Sequence, residues 1–306
     1  MPALITHYLL ALRVEDALKK KGLTVHRPAL CWGAQGPDFL FYHRALPHQL
    51  GKSLRRLGSA LHREDPAVTF GHMAAFIRRC PPGDRTCALS FAYGFLCHLA
   101  LDSAAHPFVY WFQEKLAERT GGRPAFMHHK IEHNLDTIML RRELGLSPSA
   151  FSMERALPDD RPMLDVAAKM MRYVLASLYP HERITVSALR QALRDSRLTA
   201  GLLTDGKGRK RRLLQRLERA LHTRVLLSGF ICPERPDRDF DYPNLAHAAW
   251  VDRGLGQGSS STEDFFSLYD RAARTAASLC LQYERSVKDK RPPLYLSAYD
   301  FHNGGA

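Results

Sequence analysis

The sequence predicts an all-α protein, a bundle of many helices around a shared core. Three observations carry this. Apolar residues recur three and four positions apart in one segment after another. Gly and Pro clusters separate those segments. No stretch shows the strict alternation of a half-buried strand. The chain has 306 residues, 45% hydrophobic and 25% charged, enough for a sizeable core without disulfide staples. Its six cysteines form no C-x-x-C pair, so a reducing compartment fits best.

Residues 4–20 place Leu4, Leu9, Leu10, Leu12, Val14 and Leu18 at helical spacing, with Gly22 as a stop. Residues 28–38, PALCWGAQGPD, carry Gly and Pro punctuation that predicts a loop. A helix is expected over 47–64, with Leu50, Leu54, Leu57 and Leu61 on one stripe, and another over 66–79, entered through Pro66. Residues 81–84 read as a turn. Residues 85–118 form the most apolar helical stretch, with Pro107 expected to end or kink it near Ala105. After a loop at 120–124, residues 126–143 resume as helix. Further helices are expected over 163–180, 186–197 and 208–228, and a last one over 263–287 capped by Ser261 or Thr262. Residues 231–244 read as irregular. The stretch from Pro158 to Pro162 is the best linker candidate.

The N-terminal segment places Lys19, Lys20 and Lys21 after its apolar stretch, the reverse of a signal peptide. No run of 18 apolar residues occurs, so no transmembrane helix and a cytoplasmic location are expected. The net charge of +13 favours anionic partners, although Arg-rich composition alone would give the same number.

Histidine placement carries the chemistry. His98, Asp102 and His106 lie at i, i+4 and i+8, one turn apart on one helical face. The surrounding residues are Tyr, Phe, Leu and Ala, so that face is buried. A buried carboxylate must be neutralised or bind a metal. Two imidazoles bracketing one carboxylate suit zinc, and a metal-free hydrogen-bonded relay is the alternative. On the next helix His128 and Glu132 form an i, i+4 chelating pair, and His129 and His133 form a competing pair one position along. Spacing alone leaves the choice open. His7, Asp38 and His72 are earlier candidates.

In chain order, His7, Asp38, His72, His98-x-x-x-Asp102, His106 and His128-x-x-x-Glu132 resemble the ligand order of the zinc-dependent phospholipase C family. The resemblance is to the short, intracellular bacterial type, whose fold is shared with single-strand-specific zinc nucleases. Residues 241–250, followed by Phe265 and Tyr269, are also similar to that type. The resemblance implies a multi-helix bundle of this type and a cofactor of two or three zinc ions. Asp38, His72, His98 and Asp102 would hold one. Asp102 would bridge to a second, also held by His7. His106, His128 and Glu132 would hold a third. It further implies hydrolysis of a phospholipid to diacylglycerol and a phosphorylated head group by metal-activated water. Asp38 is the candidate catalytic residue, placed to orient or deprotonate that water. On this reading residues 1–306 form a single helical domain, with a metal-ligand core at 1–145 and a helical extension at 160–290. A nuclease or nucleotidase on the same scaffold, or a non-catalytic metal-stabilised protein, are the alternatives.

Two features lie outside that ligand set. Lys207, Arg209, Lys210, Arg211, Arg212, Arg216 and Arg219 form a basic stripe opposite Leu213, Leu214, Leu217 and Leu221. It could meet an anionic membrane surface or be a solvated face. Aromatic interleaving is missing, so nucleic acid is not expected there. Trp32, Tyr110, Trp111 and Trp250 could line a substrate cleft, or pack in the core.

Overall fold

A computed structural model describes residues 4–45, 49–203, 209–220, 228, 231–251 and 259–301. Its elements are α1 (Leu4–Lys20), α2 (Arg27–Gly33), a 3₁₀ segment (Gly36–Tyr42), α3 (Arg55–Leu61), α4 (Pro66–Arg79), α5 (Pro82–Thr120), α6 (Pro124–Leu144), α7 (Met153–Ala156), α8 (Arg161–Leu178), α9 (Val186–Leu203), α10 (Arg209–Ala220), β1 (Trp250–Val251), β2 (Ser260–Ser261), α11 (Phe265–Lys288) and a 3₁₀ segment (Leu294–Ala298). β1 and β2 form one small antiparallel pair, and the protein is all-α.

Helix α5 is the axis. It is apolar on every side and therefore needs cover on every side. α2, α6, α8 and α11 pack against it, with α1 and α4 beside them. By length and composition α5 could cross a membrane, but 83% of its apolar window is buried inside the protein. Pro107 does not end it. The helix runs on to Thr120 and closes at Gly121, whose φ of 68° suits a left-handed cap. A mid-helix proline costs about 3 kcal/mol. Packing of Phe108 against Phe112, Trp250 and Phe265 offsets that cost.

The segment expected as a loop at 28–38 is instead mostly helical. His26 caps α2, its Nδ1 accepting from the Ala29 N–H, and Pro28 sits in the first turn where a missing N–H costs nothing. Gly33 and Gly94 let α2 and α5 touch backbone to backbone. A Cβ on Gly33 would lie 2.0 Å from the Phe91 carbonyl oxygen, and one on Gly94 2.0 Å from that of Leu30. The two glycines mark a helix crossing.

The helix expected over 47–64 shrinks to Arg55–Leu61, residues 46–48 lying outside the described set. Leu50 leaves the stripe and is 85% exposed. The Pro158 region is a held turn: the Trp32 indole donates to the Pro158 carbonyl at 3.0 Å, and Asp160 caps α8 by accepting from the Met163 N–H. α8 packs on α4 and α5, α9 on the 3₁₀ segment 36–42, and α11 on α5, so the later helices share the core of the earlier ones. α11 is capped by Asp264, which accepts from the Ser267 N–H, two residues beyond the expected Thr262. The expected 208–228 helix is described as far as Ala220.

Candidate metal centre

Helix α1 carries His7, and its start is fixed by α6. The Asp136 carboxylate accepts from the Thr6 N–H at 2.7 Å, the Thr6 hydroxyl at 2.6 Å and the Ile5 N–H at 3.3 Å. The two N–H groups are orphan donors of a first helical turn, so Asp136 acts as a cap supplied from another helix. Asp136 lies one turn beyond Glu132 on α6, so one face of α6 both holds α1 and presents Glu132. Burial pushes the Asp136 carboxyl up to about 7 despite the hydrogen bonds it accepts.

Three groups of ligating side chains meet there: His7, His98 and Asp102; Asp38, His62 and His98; and His106, His128 and Glu132. His98 belongs to two of them. Asp102 sits at the junction. Its Oδ1 is 3.3 Å from His7 Nε2 and 3.7 Å from His106 Nε2, and its Oδ2 is 3.0 Å from His98 Nε2. Asp38 places Oδ1 3.1 Å from His62 Nε2 and Oδ2 3.5 Å from His98 Nε2. His128 Nε2 and Glu132 Oε1 are 3.0 Å apart.

The structure thus brings together His7, Asp38, His98, Asp102, His106, His128 and Glu132, and leaves out His72. On α4 the residues Phe70, Met73, Ala74 and Ile77 face the core, which turns His72 away against Tyr173 of α8. His62, at the end of α3, stands with Asp38 instead. Gly58, one turn earlier, lets α3 press onto the segment carrying Asp38: a Cβ there would lie 3.2 Å from Leu40 Cβ and 3.3 Å from Phe41. A glycine four residues before a histidine was the available signal. Of the two candidate pairs on α6, His128 and Glu132 face the centre. His129 reaches Glu132 only at 3.6 Å. Burial pushes His133 down to about 3, so it is a neutral imidazole.

The second ring nitrogens of four of the five histidines show a common plan, whereas His7 Nδ1 is buried without a partner. Nδ1 of His62 contacts the Gly58 carbonyl at 2.7 Å, that of His98 the Ala34 carbonyl at 3.1 Å, that of His106 the Phe301 carbonyl at 2.7 Å, and that of His128 the Gln113 side-chain oxygen at 2.9 Å. A carbonyl only accepts, so each Nδ1 carries the proton. In the neutral ring Nε2 is then a lone pair, and every one of these lone pairs faces carboxylate oxygen. That is repulsive unless a proton or cation lies between. It is also how metal-ligating histidines are held.

Ligands at about 2.0–2.1 Å around tetrahedral zinc stand roughly 3.3 Å apart. The contacts above span 3.0–3.7 Å. Asp38 Oδ2 and Glu132 Oε2 are buried without a hydrogen-bond partner. The donor set therefore fits zinc. Gly36 makes room for the His98 ring: its φ is +53°, and a Cβ would meet that ring at 2.3 Å.

Electrostatics agree. Burial opposes ionisation of Asp102, but His106, His98 and His7 outweigh it and hold the carboxyl well below the usual range. Glu132 is likewise held low, against burial, by His128 and His129. Burial works against an imidazolium at His98, yet Asp102 and Asp38 raise it to about 9. His7 moves down, through burial and the nearby His98. The centre is a set of carboxylates whose anionic form is favoured by the histidines that face them. Its Asp38/His62/His98 side is sealed, whereas His106 and His128 each keep 12% side-chain exposure. The half-buried Tyr110 ring lies 5.4 Å from both of those rings. Trp32 and Trp250 are core residues, and Trp111 is partly buried beneath Lys115.

Fold and site define a class: an all-helical protein built around a buried imidazole–carboxylate cluster that could hold divalent metal. A model of the zinc dependent phospholipase C family matches residues 6–191, more than half of the chain, and the chain belongs to that family. Searches of curated proteins and of solved structures return no match.

Proposed function

We propose that the protein is a metal-dependent phosphodiester hydrolase that cleaves a phospholipid to diacylglycerol and a phosphorylated head group. The observation that carries the reading is the linkage of the three candidate ligand groups into one continuous set of donors, two through the shared His98 and the third through the 3.7 Å approach of Asp102 to His106. Zinc bound there would polarise a phosphoryl oxygen and bring the pKa of water towards neutrality.

The chain's own residues do the rest. His7, Asp38, His62, His98, Asp102, His106, His128 and Glu132 hold two or three ions. Asp38 Oδ2, buried and without a hydrogen-bond partner, orients the attacking water or takes its proton. Substrate approaches from the His106 and His128 edge, the more open one, along Tyr110. The net charge of +13 attracts the phosphate group. An anionic membrane surface fits α10, where Lys210, Arg212 and Arg216 are exposed together with Leu213 and Leu217, 58% and 48% exposed. Arg211 instead turns to Asp237, in a two-pronged pair at 3.0 and 2.8 Å.

The test is turnover by the zinc-loaded protein on short-chain phosphatidylcholine, with single-stranded DNA as the competing substrate and Asp102→Ala as the control. Diacylglycerol release that disappears in Asp102→Ala supports the reading. Cleavage of DNA alone replaces it with a nuclease. Tight zinc with no turnover on either leaves a metal-stabilised scaffold. Within the reading, Asp38→Asn with full metal content and unchanged turnover removes the role given to Asp38.

A further inference from the structure

The chain passes the metal centre once more, far from the ligands in sequence. After α11 it turns at Lys290, forms the 3₁₀ segment Leu294–Ala298, and lies across the His98–His106 face of α5 with residues 299–301. This strap is well anchored. Leu296 is fully buried, and the Ser297 hydroxyl lies 2.9 and 2.8 Å from the two oxygens of Asp65, the residue that caps α4. The Ser103 hydroxyl donates to the Asp300 carbonyl. One residue on, the Phe301 carbonyl accepts from His106 Nδ1 at 2.7 Å. The Phe301 ring is fully buried and lies 5.6 Å from the His62 ring, 5.8 Å from His98 and 6.1 Å from Phe95.

The contacts fall where α5 is weakest. Pro107 has no N–H, so the Ser103 carbonyl lacks the partner that the next helical turn would supply. Ser103 and His106, in the turn interrupted by that proline, both grip the strap. The strap reaches both ends of the centre. Its carbonyl fixes one ligand of the His106/His128/Glu132 group, and its ring walls off two ligands of the Asp38/His62/His98 group. Excluding water there strengthens every charge interaction inside. All strap residues lie beyond position 191, where the family match ends.

We infer that the C-terminal strap Leu294–Phe301 completes the metal centre, with Phe301 as a positioning residue that sets His106 through its carbonyl and covers His62 and His98 with its ring. The inference rests on the reading that the three groups hold metal. Partners of this kind around metal-ligating histidines are typically worth about 10–100-fold in metal affinity. Losing the Phe301 ring unseats the strap and its carbonyl together.

The experiment is zinc binding by the full-length protein over a range of buffered free zinc, for the parent, Phe301→Ala, Phe301→Leu and Ser103→Ala. Cobalt-substituted spectra read ligand geometry alongside. The expected result is a 10–100-fold weaker zinc affinity and a changed cobalt spectrum in Phe301→Ala. Phe301→Leu should recover most of both, and Ser103→Ala should show the same defect in milder form. Parental affinity and spectrum in Phe301→Ala and Ser103→Ala overturn the role of the strap and leave the metal reading standing. No zinc bound by the parent overturns both. If Phe301→Ala fails to fold, Ser103→Ala decides, and parental behaviour there counts against the inference.

Discussion

Replacing His62 and His72 one at a time separates what the sequence suggests from what the structure shows. His62→Ala removes one side chain of the Asp38/His62/His98 group, and His72→Ala removes a half-buried ring that touches Tyr173. At free zinc about a hundred times Kd, one occupied site adds about 2.7 kcal/mol to stability. Domains of 150–250 residues move by roughly 2–4 °C per kcal/mol, so for this longer chain about 2 °C per kcal/mol applies. His62→Ala should then lose one zinc equivalent and, with zinc present, melt about 5 °C lower on that account, in addition to the local cost of the lost side chain. With chelator only the local cost remains, Asp38 Oδ1 without its 3.1 Å partner, about 1–3 kcal/mol. His72→Ala should keep all its zinc and shift by about 1–2 °C at most, the weight of one ring contact. Elemental analysis and thermal melts with and without chelator read both quantities. A zinc equivalent lost in His72→Ala and kept in His62→Ala would refute the assignment of His62.

Three other perturbations probe the same centre. Asp102→Ala should cost two zinc equivalents and Glu132→Gln one, because Asp102 touches His7, His98 and His106 whereas Glu132 serves a single group; equal losses by elemental analysis would argue against a shared carboxylate. His98, raised to about 9 by Asp102 and Asp38, holds a proton near neutral pH in the metal-free protein, and zinc must displace it. Zinc affinity should therefore fall about tenfold per pH unit below about 9, and indicator dye should record proton release on binding at pH 7. The metal-free protein should in turn lose stability as pH rises through that value, since a raised folded pKa stabilises only while the proton is bound. Affinity that stays flat between pH 7 and 9 contradicts this. Gly36→Ala faces a positive φ worth about 1–2 kcal/mol and a clash with the His98 ring, so zinc stoichiometry should drop in both groups that use His98.

The parts of this protein that were legible in its sequence are those a single helix brings into register. His98, Asp102 and His106 follow the helical period on α5, and the same period pairs His128 with Glu132. The competing pair, His129 and His133, obeys the same rule, so the period could not choose, and packing of α6 on α1 and α5 did. His62 was missed because α3 is short and its neighbours offer no repeat. Residues 28–38 were misread because proline and glycine mark helix starts and close crossings as well as loops. Pro28 enters a helix, and Gly33 meets the backbone of α5.

The outer partners of the imidazoles are a different kind of problem. Three of the four Nδ1 atoms named above are held by backbone carbonyls, of Gly58, Ala34 and Phe301. Every residue carries a carbonyl, so no residue type announces the role. Gly58 lies one turn before the histidine it serves, but Ala34 is 64 positions from His98 and Phe301 is 195 from His106. Such contacts exist only once α2 has crossed α5 and the strap has docked. The ligands that share a helix are therefore written locally, while their orientation is a product of the whole fold. On the inference drawn for the strap, a substitution at Phe301 weakens the centre without removing a ligand.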